Sequence, residues 1–408
     1  MNKIEKFFKQ AWLSDYRTLA VLWGLVTLFC IYKIVHGGHP DYDYLIFTHS
    51  FDHAWANMPL YPLYEEDTNY FLYGPTFASL IAPFSLMNDW VGQVIWEIFI
   101  TFFLFFTIRI SWLTKYQQVF IMWFCIQEIL NCVLDAELNT LVVSGIMLSF
   151  LLVEKEHDHW ATFFIAMGTM TKLFGIVGLL FVFFSKHKWR FVWTWVAWML
   201  FFAVLPMLMF GFDYTCNEYV EWMKALAVKN EHNLLFETKQ NISLLGLVRN
   251  FSGCTTYSDL WVFVPCALLF LTPLFRRSQY QHIAFRETML SSALICICIL
   301  STSTEAYGYI IAMVGVVIWY TASPWKRGKW EIALMVFAFV LTSLSSTDLF
   351  PRHFRQVTMV RYALKALPVT LIWFVEMWEL LTHDYRKSDV SLEVGKRAKN
   401  AKYTLASS

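Results

Sequence analysis

Charge is scarce in this sequence, and its cysteines form no recognisable chemistry. Only 15% of the 408 residues are Asp, Glu, Lys or Arg while 57% are hydrophobic, against about 25% charged in an ordinary soluble domain. A surface built mainly for water is excluded. The eight cysteines show neither a C-x-x-C pair nor a metal-ligand spacing, so no metal site and no cofactor are expected. Cys30, Cys125, Cys266, Cys296 and Cys298 lie inside apolar runs as small hydrophobes; Cys216 and Cys254 share one long loop and could pair in an oxidising compartment. No A-x-A-like cleavage site follows the first apolar run, Leu19 to Val35, which therefore reads as a retained helix. A net charge of +1 offers no footprint for nucleic acid. Low-complexity segments and internal repeats are also missing.

What is present is apolar sequence recurring from residue 19 to residue 382, cut by short charged stretches. The reading is one polytopic membrane domain over 1–408, all-α, with about ten to twelve transmembrane helices and some half-length or re-entrant ones. Aromatics at 19% fit the many helix ends this requires, since Trp and Tyr favour the headgroup level.

Positive-inside bias sets the orientation. Lys3, Lys6, Lys9 and Arg17 put the N-terminus in the cytoplasm, before a first transmembrane helix over 18–36. Residues 38–72 hold six acidic residues, three histidines and no Lys or Arg, so this first loop is expected outside, with short helices in it. Cytoplasmic anchors at Lys186–Arg190, Arg276–Arg286 and Lys326–Lys329 then alternate with apolar runs. This leaves a second long exported loop at 212–258, a basic exported loop at 348–365 and a basic cytoplasmic tail over 383–408. Between 73 and 185 six apolar runs can be drawn, although parity demands an odd number of crossings. The run 160–185 breaks around Thr171, Lys172 and Gly175, as a hairpin with Lys172 near its tip would.

Polar groups at or inside such runs are the candidates for chemistry. Asp41 and Asp43 follow the first helix within a few residues. Either could act as a general base at the membrane boundary or be part of a solvated acidic loop. Tyr61 and Tyr73 belong to a Tyr- and Pro-rich entry into the next apolar run, readable as a sugar-stacking surface or as an aromatic belt. Glu137, Asn139 and Lys172 need partners in hydrocarbon, structural or functional. Lys239, Asn241, Ser243 and Arg249 form a polar-then-basic cluster where an Arg could grip phosphate or snorkel to headgroups. Glu305 and Tyr309 interrupt two apolar runs, and Glu305 could bind a sugar hydroxyl or cap a helix. Arg352, His353, Arg355, Arg361 and Lys365 place positive charge on the exported side, against the bias, where it could hold phosphate.

In order and spacing these stretches resemble the glycosyltransferase 87 family, GT-C-type membrane enzymes that include polyprenyl-phosphomannose-dependent mannosyltransferases. Asp43 with Phe47, then Leu60-Tyr61, then Tyr70-Phe-Leu-Tyr-Gly-Pro75 match its first-loop pattern. Ala136-Glu-Leu-Asn139 is similar to its G-Q-x-N element and Lys172-Leu-Phe-Gly175 to K-x-x-P. Asn241-Ile-Ser243-Leu-Leu-Gly246-Leu-Val-Arg249 is similar to N-Q-S-x-x-G-x-x-R, and the stretch from Ser301 to Tyr309 stands where the family has S-P-x-S-W-x-H-Y.

The resemblance implies a GT-C-like bundle in a membrane, the bacterial inner membrane in this reading. It also implies inverting transfer of a hexose, mannose in the first instance, from a polyprenyl-phosphate donor to a glycolipid or glycan acceptor at the non-cytoplasmic face. Asp43 is then the base and Asp41 the second choice. A flippase of lipid-linked sugar, or a polysaccharide polymerase or ligase, would share much of this sequence pattern.

Overall fold

The computed structural model describes residues 10, 12–236, 240–254 and 256–387. Lys3, Lys6, Lys9, Lys239 and the tail beyond residue 387 lie outside these residues. All regular structure among the described residues is helical. That is the expected consequence of apolar sequence whose backbone N–H and C=O groups must pair within their own segment once water is removed.

In chain order the α-helices are α1 (Tyr16–Gly37), α2 (Tyr42–Trp55), α3 (Pro75–Ser85), α4 (Asp89–Ile110), α5 (Lys115–Phe124), α6 (Ile126–Leu134), α7 (Asn139–Glu154), α8 (Asp158–Lys172), α9 (Lys188–Phe210) and α10 (Phe212–Asn233). They continue as α11 (Leu244–Ser252), α12 (Leu260–Leu271), α13 (Ile283–Ile299), α14 (Tyr309–Ala322), α15 (Lys329–Phe337) and α16 (Ala366–Thr382). Among the described residues four spans are long and apolar enough to cross a membrane: Tyr16–Gly37, Asp89–Ile110, Lys188–Phe210 and Lys329–Ser346. The bent pair α5 and α6, kinked by 52°, makes a fifth if taken as one span. The chain is an integral membrane protein. Only 17% of the apolar window of α9 is buried, so Trp189, Trp193, Leu200 and Leu208 stay exposed, an apolar face suited to lipid.

Two compact units divide the chain. The first to consider comprises residues 21–106 and 129–232. Within it the segment after α1 carries α2, capped by Asp41, whose carboxylate accepts from the Asp43 and Tyr44 amides. The expected break near Lys172 is a hairpin: α8 ends at Leu173 in the left-handed region (φ 58°), and a 3₁₀-helix, Phe174–Phe183, returns. A Cβ on Gly175 would stand 2.5–2.6 Å from the backbone at Gly168 and Thr169, so the reversal needs glycine there. The stretch 212–258, expected as a long loop, is mostly helix, because α10 runs for 22 residues. Its residues alternate enough in polarity to leave one side for the loop before α3: Glu218 accepts from the Leu60 amide at 2.9 Å and Trp222 Nε1 donates to Leu72 O.

The other unit comprises residues up to 20, 107–128 and 233 onward. Its centre is α13 against α14, both nearly fully buried. Gly315 lets the helices approach, since a Cβ there would meet Ser291 O at 2.9 Å, and Ser291 Oγ donates to Gly315 O at 2.7 Å. Small residues allowing backbone contact are a usual feature of helix pairs in membranes. All eight cysteines, Cys216 and Cys254 included, are free thiols.

Candidate active site

A lysine at a hairpin tip inside apolar sequence must find acceptors, and Lys172 finds three. Its Nζ donates to Asn139 Oδ1 at 3.1 Å, to Glu137 Oε2 at 3.2 Å and to Tyr73 OH at 3.3 Å. Asn139 Nδ2 donates back to Glu137 Oε2 at 3.2 Å. Glu137 is presented by the tight turn between α6 and α7, where Ala136 has φ 45° and its carbonyl accepts from Trp96 Nε1 at 2.8 Å. Tyr73 is held from behind by Tyr61, whose hydroxyl donates to Tyr73 O at 3.1 Å. Tyr61, Tyr73, Asn139 and Lys172, four residues selected from the sequence, therefore meet in one place. The ion pair is not sealed: the Lys172 side chain is 21% exposed.

Beside this set lies a cavity of about 220 Å³. Phe77, Trp96, Phe103, Leu138, Val142 and Ile165 are among its walls, and among the described residues Lys172 is the one charged residue lining it. The arrangement is an apolar hollow with an ammonium group at its edge.

Asp43 lies in the first turn of α2 and is partly exposed. Phe47, four residues on and so on the same helix face, is buried with its ring edge-on to Tyr73 at 5.1 Å. This face of α2 thus leads from Tyr73 back to Asp43. Asp41 is occupied differently, as the cap of α2. Burial pushes its carboxyl above the usual range, the two amide hydrogen bonds oppose that, and nearby Glu137 adds to the rise.

Gln93 and Glu97 are buried members of this neighbourhood that the sequence reading missed. Gln93 Oε1 accepts from the Asp41 amide at 2.9 Å, and Gln93 Nε2 donates to Glu97 Oε1 at 3.0 Å. The available signal was an acidic residue in the middle of the apolar run of α4.

The remaining candidates belong to the other unit. Ser243 caps α11, donating to Asn241 Oδ1 at 2.6 Å and accepting from the Gly246 amide at 3.2 Å. Arg249 is fully buried, pairs with Asp259, donates to Tyr257 O at 3.2 Å and lies over the Tyr257 ring at 4.6 Å. Tyr309 donates to Ile242 O at 2.7 Å, and Glu305 accepts from Tyr307. The basic residues of 348–365 do not converge. Arg352 donates to Gln356, Arg355 pairs with Asp348, and Lys365 turns inward to Glu128 at 3.3 Å and to Ala306 O. Among the described residues no cluster of His, Cys, Asp and Glu could hold a metal ion.

The sequence model of glycosyltransferase family 87 matches residues 71–303, more than half of the chain. No curated protein matches it.

Proposed function

This chain belongs to glycosyltransferase family 87, and from that premise we propose that it moves a hexose, mannose by resemblance, from a polyprenyl-phosphate donor to a glycolipid or glycan acceptor at the non-cytoplasmic face of the bacterial inner membrane. The observation that carries the donor class is the apolar cavity edged by Lys172. A lipid phosphate has an apolar tail for the hollow and an anion for the ammonium, whereas a water-soluble nucleotide sugar has no use for the hollow. The bundle in this reading has about ten to twelve crossings, the shorter apolar helices among them, within a single membrane domain.

Asp43 takes the proton of the acceptor hydroxyl as that oxygen forms its bond to the anomeric carbon. The bond from that carbon to the phosphate oxygen breaks in the same step, with inversion, and the polyprenyl phosphate leaves with one more negative charge. Lys172 meets that charge where it develops, which is where a fixed cation accelerates most. Glu137 and Asn139 hold the ammonium ready beforehand. Tyr61 and Tyr73 form the aromatic wall for the sugar. The commitments of Arg249 to Asp259 and Tyr257 favour Lys172 over Arg249 for the phosphate. Asn241, Ser243, Glu305 and Tyr309 then serve the acceptor side or the loops that carry it, and Arg352 and Arg355 the membrane headgroups.

The purified protein in lipid nanodiscs is offered either a mannosyl polyprenyl phosphate or an oligosaccharide polyprenyl diphosphate. Turnover of the monosaccharide phosphate is expected. Turnover of the diphosphate alone would make the chain a polymerase or ligase, and movement of either lipid across the bilayer without transfer would make it a flippase.

A further inference from the structure

Glu97 is an expensive residue where it stands. It is completely buried in a membrane-spanning helix, and among the described residues its Oε2 has no hydrogen-bond partner. A leucine would fill the space without that cost. What the carboxylate supplies is an acceptor for Gln93, four residues earlier on the same face of α4.

Gln93 is 2% exposed and uses both ends of its amide. An amide side chain fits its site equally well in two orientations related by a half-turn, and hydrogen bonding alone selects between them. Because Glu97 Oε1 takes the Nε2 hydrogens, Gln93 must turn Oε1 toward the Asp41 amide, which donates to it at 2.9 Å. The reversed amide would set N–H against N–H. Asp41 in turn caps α2 through the Asp43 and Tyr44 amides. The start of α2 is therefore fixed on two sides, by its own cap and by Gln93.

We propose that Glu97 and Gln93 are positioning residues for Asp43: the buried Glu97 carboxylate orients the Gln93 amide, which docks the Asp41 backbone and so sets the direction in which the first turn of α2 presents the Asp43 carboxylate. This rests on the reading of Asp43 as the base. It goes beyond that reading by assigning a role to a carboxylate that touches no substrate.

The test uses the full chain in lipid nanodiscs with Glu97→Leu, Gln93→Leu, the double variant and Glu97→Gln, and it has two readouts. The first is amide hydrogen exchange over residues 41–44. Loss of one hydrogen bond raises exchange there by about tenfold in either Leu variant. The second is sugar transfer. A misdirected base lowers kcat by roughly tenfold or more while the donor KM stays within about twofold. Because both residues act through one contact, the double variant loses no more than the worse single one. Glu97→Gln keeps an acceptor oxygen for Gln93 and recovers most of the loss in both readouts. Unchanged exchange at 41–44 in Glu97→Leu, or unchanged kcat, overturns the proposal, as does additive loss in the double variant. A wild-type protein that transfers no sugar would instead overturn the proposed function, and the exchange readout would still decide whether Glu97 fixes the start of α2.

Discussion

Two lysine–glutamate pairs of nearly equal length occupy the two units. Lys172 stands 3.2 Å from Glu137 and Lys365 stands 3.3 Å from Glu128. Their surroundings differ. Lys172 lines a cavity, keeps 21% of its side chain exposed and spreads three similar hydrogen bonds over an amide, a phenol and a carboxylate. Lys365 is 5% exposed, Glu128 is sealed, and the remaining donors go to the Ala306 carbonyl and the face of Tyr309. Length and residue type do not separate the two pairs; access does. An ammonium at the edge of a cavity can exchange an acceptor for an incoming phosphate oxygen, whereas one enclosed with its counter-ion can only hold the loops it touches.

Breaking the enclosed pair should have the largest effect on folding. Lys365→Met strands the Glu128 carboxylate, and loss of one partner of a buried pair costs about 3–5 kcal/mol. Thermal unfolding in detergent should show a strongly lowered midpoint or no folded protein. A midpoint equal to that of the wild type would mean the pair is not structural. Lys172→Met strands Glu137, whose side chain is 7% exposed but keeps Asn139 Nδ2 as a donor, so the midpoint should fall less than in Lys365→Met, while transfer drops by about 10²–10³-fold, the usual cost of losing one donor to a developing anion. Wild-type turnover in this variant would erase the distinction between the two lysines.

The smallest effect sharpens the comparison by replacing a carboxylate that has structural partners but, among the described residues, no cation. Burial raises the Glu218 carboxyl above its usual range, its hydrogen bonds to the Leu60 amide and Asn217 opposing the rise. A raised value means stability is fully present below the unfolded carboxyl range and is lost as pH rises through the folded value. Glu218→Gln keeps an acceptor for the Leu60 amide and cannot ionise. Its unfolding midpoint should exceed the wild type modestly at neutral pH, with the gap closing toward acid pH. A gap independent of pH would refute burial of charge as the cause.

Much of this architecture was legible in the sequence, because hydrophobic runs mark helices directly. The runs 191–211, 308–322, 330–347 and 366–382 correspond to α9, α14, the span beginning with α15, and α16. The hairpin at Lys172 was legible for the same reason, a charge and a glycine interrupting an apolar stretch. Contacts between distant segments were not. The sequence gives no sign that Arg249 would be taken up by Asp259, or that Lys365 would turn to Glu128, 237 positions away. Glu97 is hard to read from the sequence because one acid in a long apolar run changes its mean hydropathy little, although an acid there is costly enough to require a purpose. The amphipathic α10 is not legible as a helix because its many polar residues read as loop.

The central claim is that Asp43 removes the acceptor proton, and Asp43→Asn tests it most directly. In nanodiscs loaded with mannosyl polyprenyl phosphate, the variant should bind donor as the wild type does and show transfer lowered by about 10²–10⁴-fold. Transfer at the wild-type rate by this variant would contradict the account.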